Sequence, residues 1–206
     1  MKKASIFSVM LAAVAMIGMS FTNPVEGEKE RRTVSVAESN IVWNGYKVTG
    51  SHTGNIQLKS GELEFDGDKL TGGNFVIDMT SMTNTDLEGE WKEKLMGHLK
   101  SDDFFSVDKF PTASFNITQV VSRGKPGEYK IVGDLTIKGI TKEIKFQANL
   151  EDMETKTKTM TKAVAEVVVD RSEYNVRYGS GSFFDNLGDK TIYDEFDLQV
   201  NLVVNK

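Results

Sequence analysis

Hydrophobic and polar positions alternate with a period of two through most of this chain, the mark of strands with one buried face. Ile41, Trp43 and Gly45 alternate with Val42, Asn44 and Tyr46. Ile56 and Leu58, then Leu63 and Phe65, continue the pattern to an Asp66-Gly67 hairpin turn. Phe75, Ile77 and Met79 follow, alternating with Asn74, Val76 and Asp78. Further on, Phe115, Ile117, Gln119 and Val121 share a face, and the turn Arg123-Gly-Lys-Pro-Gly127 ends that strand. Tyr129, Ile131, Gly133, Leu135 and Ile137 lead to a turn at Gly139, after which Ile144, Phe146, Ala148 and Leu150 alternate. Residues 151–162 are rich in Thr, Lys and Glu and unpatterned, which predicts a long exposed hairpin loop. Residues 163–170 form another strand, and Phe196, Leu198, Val200, Leu202 and Val204 close the chain.

One segment breaks the pattern. Within residues 86–115, Leu87, Trp91, Leu95, Met96 and Leu99 gather on one side when wound at helical pitch. Thr85-x-x-Glu88 has the form of a capping box, with Glu88 and Glu90 near the positive end of the helix dipole. The helix runs into an aromatic tail, Phe104, Phe105, Phe110 and Phe115. A single helix with such a tail, set among strands, predicts an element that closes or lines something hollow.

About eight alternating strands with tight turns fit an all-β chain with one or two short helices. Gly45, Gly50 and Gly54 fall inside strand patterns, where they let strands bend sharply. They favour an antiparallel eight-stranded β-barrel over a sandwich, and a barrel of that size holds one small ligand.

The chain's ends add a destination. Met1-Lys2-Lys3 precedes an apolar run over residues 6–19, then small polar residues and Pro24. That layout predicts a signal peptide over about residues 1–22 and a protein exported to the periplasm or beyond. The run falls short of the roughly 20 residues of a spanning helix. Residues 23–38, with the mixed charges of Glu26, Glu28, Lys29, Glu30, Arg31 and Arg32, read as a solvated linker or the start of the first strand, and residues 39–206 as the domain. Of the 25 basic residues, Lys2 and Lys3 leave with the signal, so 23 face 30 acids and the net charge becomes −7. Such a balance excludes nucleic acid as a partner. The absence of cysteine rules out disulfides and a lipid-anchored cysteine.

Candidate chemistry is sparse. No nucleophile elbow, His-Glu-x-x-His pair or phosphate-cradling loop is present, which argues against an enzyme. His98 falls on the apolar side of the helix, either as a hydrogen-bonded core residue or as a polar contact at one end of a cavity. His52, between Gly50 and Gly54, reads as a strand-turn residue. Two histidines so placed make no metal site. Arg171 and Tyr174 could donate to a phosphate or carbonyl; the alternative for Arg171 is a surface pair with Asp170. Phe183-Phe184, in a glycine-rich loop, could form a second rim.

Four stretches together resemble one family: Trp43-x-Gly45-x-Lys47 with Gly50-x-His52-x-Gly54; Leu95 with residues 98–105; residues 110–115; and residues 133–142. In order and spacing these are similar to the YceI-like, polyisoprenoid-binding family, over nearly all of residues 39–206. The resemblance implies a lipocalin-like barrel with an apolar tunnel for a long isoprenoid, such as a prenyl quinone or prenyl-phosphate-like lipid, carried, stored or shielded. Residues 171–174 and 178–188 depart in detail, as a subgroup form would. The expected lining or rim comprises Trp43, Trp91, Leu95, His98, Leu99, Phe104, Phe105, Phe110, Phe115, Phe146, Arg171, Tyr174, Phe183 and Phe184. Few polar side chains are expected inside, so head-group selection should be weak. No cofactor is expected beyond the lipid itself; transient membrane contact and a homodimer are left open.

Overall fold

The computed structural model describes residues 29–154 and 159–206; the predicted signal segment lies outside them. The strands are β1 (Lys29–Thr33), β2 (Asn40–Lys47), β3 (Gly50–Asp66), β4 (Lys69–Asn84), β5 (Thr112–Ser122), β6 (Glu128–Ile137), β7 (Ile140–Glu154), β8 (Thr159–Asp170) and β9 (Ile192–Asn205), with helix α1 (Gly89–Lys100) between β4 and β5. All pairings are antiparallel. Strands β2 to β9 pair in sequence order, and β9 returns to β2, so eight strands close into a ring. Closure of the ring is how a β-barrel limits bare strand edges; its shortest seam is β4–β5, which pairs over residues 74–78 and 112–116.

Of the two readings of Lys29 to Arg32, linker or start of a strand, the ninth strand favours the second. β1 continues the line of β2 along β3: residues 50–56 of β3 pair with β2, and residues 62–66 pair with β1. Val34 bridges to Val204, and the Ser35 N–H donates to the Val203 carbonyl. β1 and β2 are thus one interrupted stave. Arg32 faces inward opposite Leu63, is only 6% exposed, and lays its guanidinium 4.1 Å from the centre of the Phe65 ring. Charge in the sequence hid this strand, because a stacked arginine with its head near Glu30 (2.8 Å) serves as a plug.

The inward phase changes along the longer strands. In β3 the buried set is Ile56 and Leu58, then Gly61, Leu63 and Phe65, a switch that coincides with a register shift between Leu58 and Ser60. A bulge adds one residue and bends the strand, which is how long strands wrap a barrel. A similar shift between Ile117 and Gln119 corrects the shared face read for β5: Val120 packs on the core, while Val121 is exposed. The long loop expected over residues 151–162 is also corrected. β7 and β8 run on as a paired ribbon to Glu154 and Thr159, with Met160 and Thr161 buried and the Thr161 hydroxyl donating to Asp152 at 2.8 Å.

Loops divide between the two ends. The β2–β3 hairpin, the α1 segment, the β6–β7 hairpin and residues 171–191 stand at one end, which we call the mouth. The β3–β4 and β5–β6 turns stand at the other with β1, where β7 ends and β8 begins. In the β6–β7 turn Lys138 and Gly139 both take positive φ (51° and 74°), the two-residue hairpin geometry that suits twisted strands.

α1 lies over the mouth, and its approach differs from the predicted capping box. Glu88 flanks the helix without a side-chain cap, and Thr85 donates back to the Thr53 carbonyl. Asn84, fully buried, instead accepts from the Leu87 N–H at 2.9 Å. No helix residue is buried; Met96 and Leu99 pack partly on the core, and Trp91 is 72% exposed.

Candidate functional site

The barrel interior is hollow in two lobes. The deep lobe, about 120 Å³, is walled wholly by apolar residues, among them Leu58, Leu63, Ile131, Ala148, Ala163, Ala165 and Leu202. Its space comes from small side chains on two neighbouring strands, since Ala148 of β7 sits directly opposite Ala165 of β8. The mouth lobe, about 350 Å³, reaches α1 and the 171–193 segment. Ile41, Ile77, Leu135 and Leu198 border both lobes.

Phe115 and Phe146 line the deep lobe, their ring centres 5.5 Å apart. Gly133, opposite Ile117 on the neighbouring strand, makes this possible: a Cβ there would collide with the Phe115 ring. Trp43, Leu95, His98, Leu99, Phe104, Phe105 and Arg171 line the mouth lobe. Trp43 is set by a similar device. Its indole N–H donates to the Thr83 carbonyl at 3.1 Å, and its ring lies over Gly54, where any side chain would strike it.

The segment after α1 turns back on itself. The Phe105 N–H donates to the Leu99 carbonyl and the Val107 N–H to that of Lys100, with Ser106 at positive φ (50°). The Lys138 ammonium, from the β6–β7 turn, caps the Phe104 carbonyl at 2.7 Å. Phe104 is thereby buried against His98 (5.0 Å between ring centres), and His98 meets Tyr178 edge-on at 4.3 Å.

Five expected residues stand elsewhere. Trp91 points outward, because α1 begins only two residues before it and Lys94, one turn on, covers its ring at 5.2 Å. Phe110 packs beside Gly139 on the β6–β7 turn, outside both lobes. Tyr174 is 1% exposed in the core, its hydroxyl unpartnered, and burial pushes its pKa up to about 12. Phe183 and Phe184 are exposed, the first against the Arg177 guanidinium at 4.8 Å.

Arg171 is not in a surface pair with Asp170. It is 3% exposed and donates to the carbonyls of Tyr193 (3.1 Å), Val176 (2.7 Å) and Ile192 (2.9 Å), with Asp194 at 3.3 Å. It ties the 171–193 segment to the wall while its charge borders the mouth lobe. Asp170 caps the following turn instead, accepting from the Ser172 N–H.

His52 carries the residue-level surprise. It is no turn residue: it pairs with Gly45 across the β2–β3 ladder, on the face of Trp43 and Ile41, and lines the mouth lobe. Its Nδ1 lies 2.8 Å from the Asp86 carboxylate, which also accepts from the Thr53 N–H (2.9 Å) and the buried Asn84 amide. Burial works to raise the Asp86 pKa, but the donors from Thr53, His52 and Asn84 outweigh it and hold the group below the ordinary 3.8. The period-two count from Trp43 and the hairpin between Lys47 and Gly50 carried this signal in the sequence. Among the described residues no three His, Cys, Asp or Glu side chains gather as a metal cluster.

A closed ring of eight strands around an apolar hollow, covered at one end by a helix, defines a β-barrel of the kind that encloses a small hydrophobic ligand. A family model described as the YceI-like domain matches residues 33–204, and the chain belongs to that family. A Vibrio campbellii protein, a UPF0312 protein, is 35% identical over 97 residues, 46% of this chain and 48% of its own. A Shewanella denitrificans UPF0312 protein is 34% identical over 89 residues. The chain spans about half the length of these curated relatives. Burkholderia cenocepacia BcnA shares the fold at a TM-score of 0.67 and 20% identity, over 82% of this chain and 98% of that one. A polyisoprenoid binding domain from Saccharophagus degradans does so at 0.60 and 16%, over 84% and 97%.

Proposed function

We propose that the protein is a carrier that encloses the apolar chain of an isoprenoid lipid in the barrel, rather than an enzyme. The observation that carries the reading is the deep lobe, which has no polar side chain in its wall and shares four bordering residues with a mouth lobe where polar groups begin. An amphiphile fits in one orientation, chain inward and head at the mouth. The name of the Saccharophagus degradans domain supports the isoprenoid class. The basic start and apolar run of residues 1–19 support an exported protein that takes up and releases its cargo at an envelope membrane.

A cavity of 150 Å³ accepts a six-carbon ring, so the two lobes accommodate about 20 carbons, or four isoprene units. Each buried CH₂ is worth about 0.8 kcal/mol, an amount that chain ordering and withdrawal from a bilayer largely offset. Tight retention in water with ready exchange at a membrane is the expected behaviour.

The test is native mass spectrometry of protein purified from its own host's envelope, with extraction and identification of the bound lipid. A stoichiometric isoprenoid is the expected result. Recovery of empty protein, together with a partner protein in envelope pull-downs, would replace the carrier with an interaction module.

A further inference from the structure

His52 is held in one tautomer. Asp86 is kept ionised by its donors and can only accept, so the hydrogen between it and His52 belongs to Nδ1. In the neutral imidazole the other nitrogen, Nε2, is then an acceptor, and among the described residues it has no partner. Space is reserved beside the ring. Gly45, directly across the ladder, also lines the mouth lobe, and a Cβ built on it would meet nothing within 4 Å.

The buried cation of the mouth lobe is already matched: Arg171 has Asp194 at 3.3 Å. The histidines add no free cation, since each stands beside a carboxylate, His52 by Asp86 at 2.8 Å and His98 by Asp103 at 3.8 Å. Lys47 and Glu195 add one charge of each sign at the lip. A wall so neutralised offers no surplus cation to an anionic head group, but it does offer one oriented acceptor.

We propose that His52 Nε2 is a head-group subsite that accepts a hydrogen bond from a neutral hydroxyl, so that the preferred cargo is an isoprenoid alcohol or the reduced, hydroxyl-bearing form of a prenylated ring. The inference rests on the carrier reading and sharpens it. Asp86 is a positioning residue: it fixes which ring nitrogen bears the hydrogen, and Asn84 and Thr53 fix Asp86. Gly45 keeps the space in which the hydroxyl sits.

The experiment uses four probes with the same C20 chain: geranylgeraniol, its methyl ether, geranylgeranyl diphosphate and the head-less hydrocarbon. Binding is read by quenching of Trp43 in a Trp91→Phe background, since Trp43 lines the lobe and Trp91 does not. The unmodified site should bind the alcohol about tenfold more tightly than the ether, because the ether leaves Nε2 desolvated and unpaired. His52→Ala should erase that preference and leave hydrocarbon binding unchanged, and His52→Gln, which keeps an acceptor, should restore part of it. Asp86→Asn should remove most of it, since an amide can donate to Nδ1 and turn Nε2 into a donor, which alcohol and ether oxygens accept alike. Gly45→Val, which leaves His52 intact and suits a strand, should weaken the alcohol more than the hydrocarbon. Equal binding of alcohol and ether, or a diphosphate advantage lost in His52→Ala, would overturn the hydroxyl subsite while leaving the carrier standing. Failure of all four probes to bind would remove the carrier and the subsite with it.

Discussion

Filling the deep lobe should make the empty protein more stable and the carrier worse. Ala165 faces the lobe from β8, between Ala148 of β7 and Val200 of β9. A void of about 120 Å³ costs about 3 kcal/mol at roughly 24 cal/mol per Å³. Ala165→Leu places three more carbons there, worth about 2 kcal/mol by transfer, within that ceiling. Some strain is expected as the isobutyl group seats itself, so the net gain should be about 1 kcal/mol. In urea, where small proteins have slopes of about 1–3 kcal/mol per molar, the midpoint of delipidated protein should rise by about half a molar. The same group removes the seat of the terminal isoprene unit. Its five carbons are worth about 4 kcal/mol at full burial, so binding of a C20 chain should fall by about a hundredfold or more. Both changes are measured on one preparation, by urea titration of the empty form and by lipid loading in native mass spectrometry. A less stable variant with unchanged loading would show the interior to be packed at this point and would refute the argument.

Two further expectations follow from where the structure puts single side chains. Leu99→Lys should reduce lipid loading at least tenfold, because Leu99 borders the mouth lobe, whereas Trp91→Ala, on the outer side of the same helix, should leave loading unchanged; parallel loading assays of the two variants separate lining from mere membership of the helix. Tyr174 is buried with its hydroxyl unpartnered and its pKa raised to about 12, so its contribution is whole below pH 10 and is lost as pH rises from 10 toward 12, by about 2–3 kcal/mol. Tyr174→Phe should flatten that alkaline slope in thermal melts and leave neutral-pH stability equal or higher.

Much of the barrel was legible as alternation, because a strand with one face inward must change polarity at every residue. The same rule failed where a bulge shifts the phase, as between Leu58 and Gly61, since an inserted residue leaves no mark in composition. β1 was hidden by its charges, and the β7–β8 ribbon by its threonines and lysines. Both fit strands whose outer face meets water and whose few inward groups are polar but paired, as Arg32 and Thr161 are. Among site residues, the two deep phenylalanines and the α1 leucines were readable from period alone. Trp91 was misplaced because helical pitch gives angles but not where the helix begins. His52 was overlooked for the opposite reason: its flanking glycines suggested a turn, although one of them, Gly54, exists to seat Trp43. The polar groups of the mouth lobe come from β2, β3, α1 and the 171–193 segment, and no local pattern could have assembled them.

The interrupted stave of β1 and β2 has a consequence for how the molecule comes into being. Its partner across the seam is β9, a fourteen-residue strand, so the ring is sewn shut by pairing its first strand with its last. Hairpins from β3 to β8 can form as they are made, but until β9 is available β2 and β8 each present a bare edge. Contacts so distant in sequence slow folding. The barrel therefore stays an open, threadable ribbon until β9 has been made, and removing β9 should yield an aggregating sheet instead of a smaller barrel.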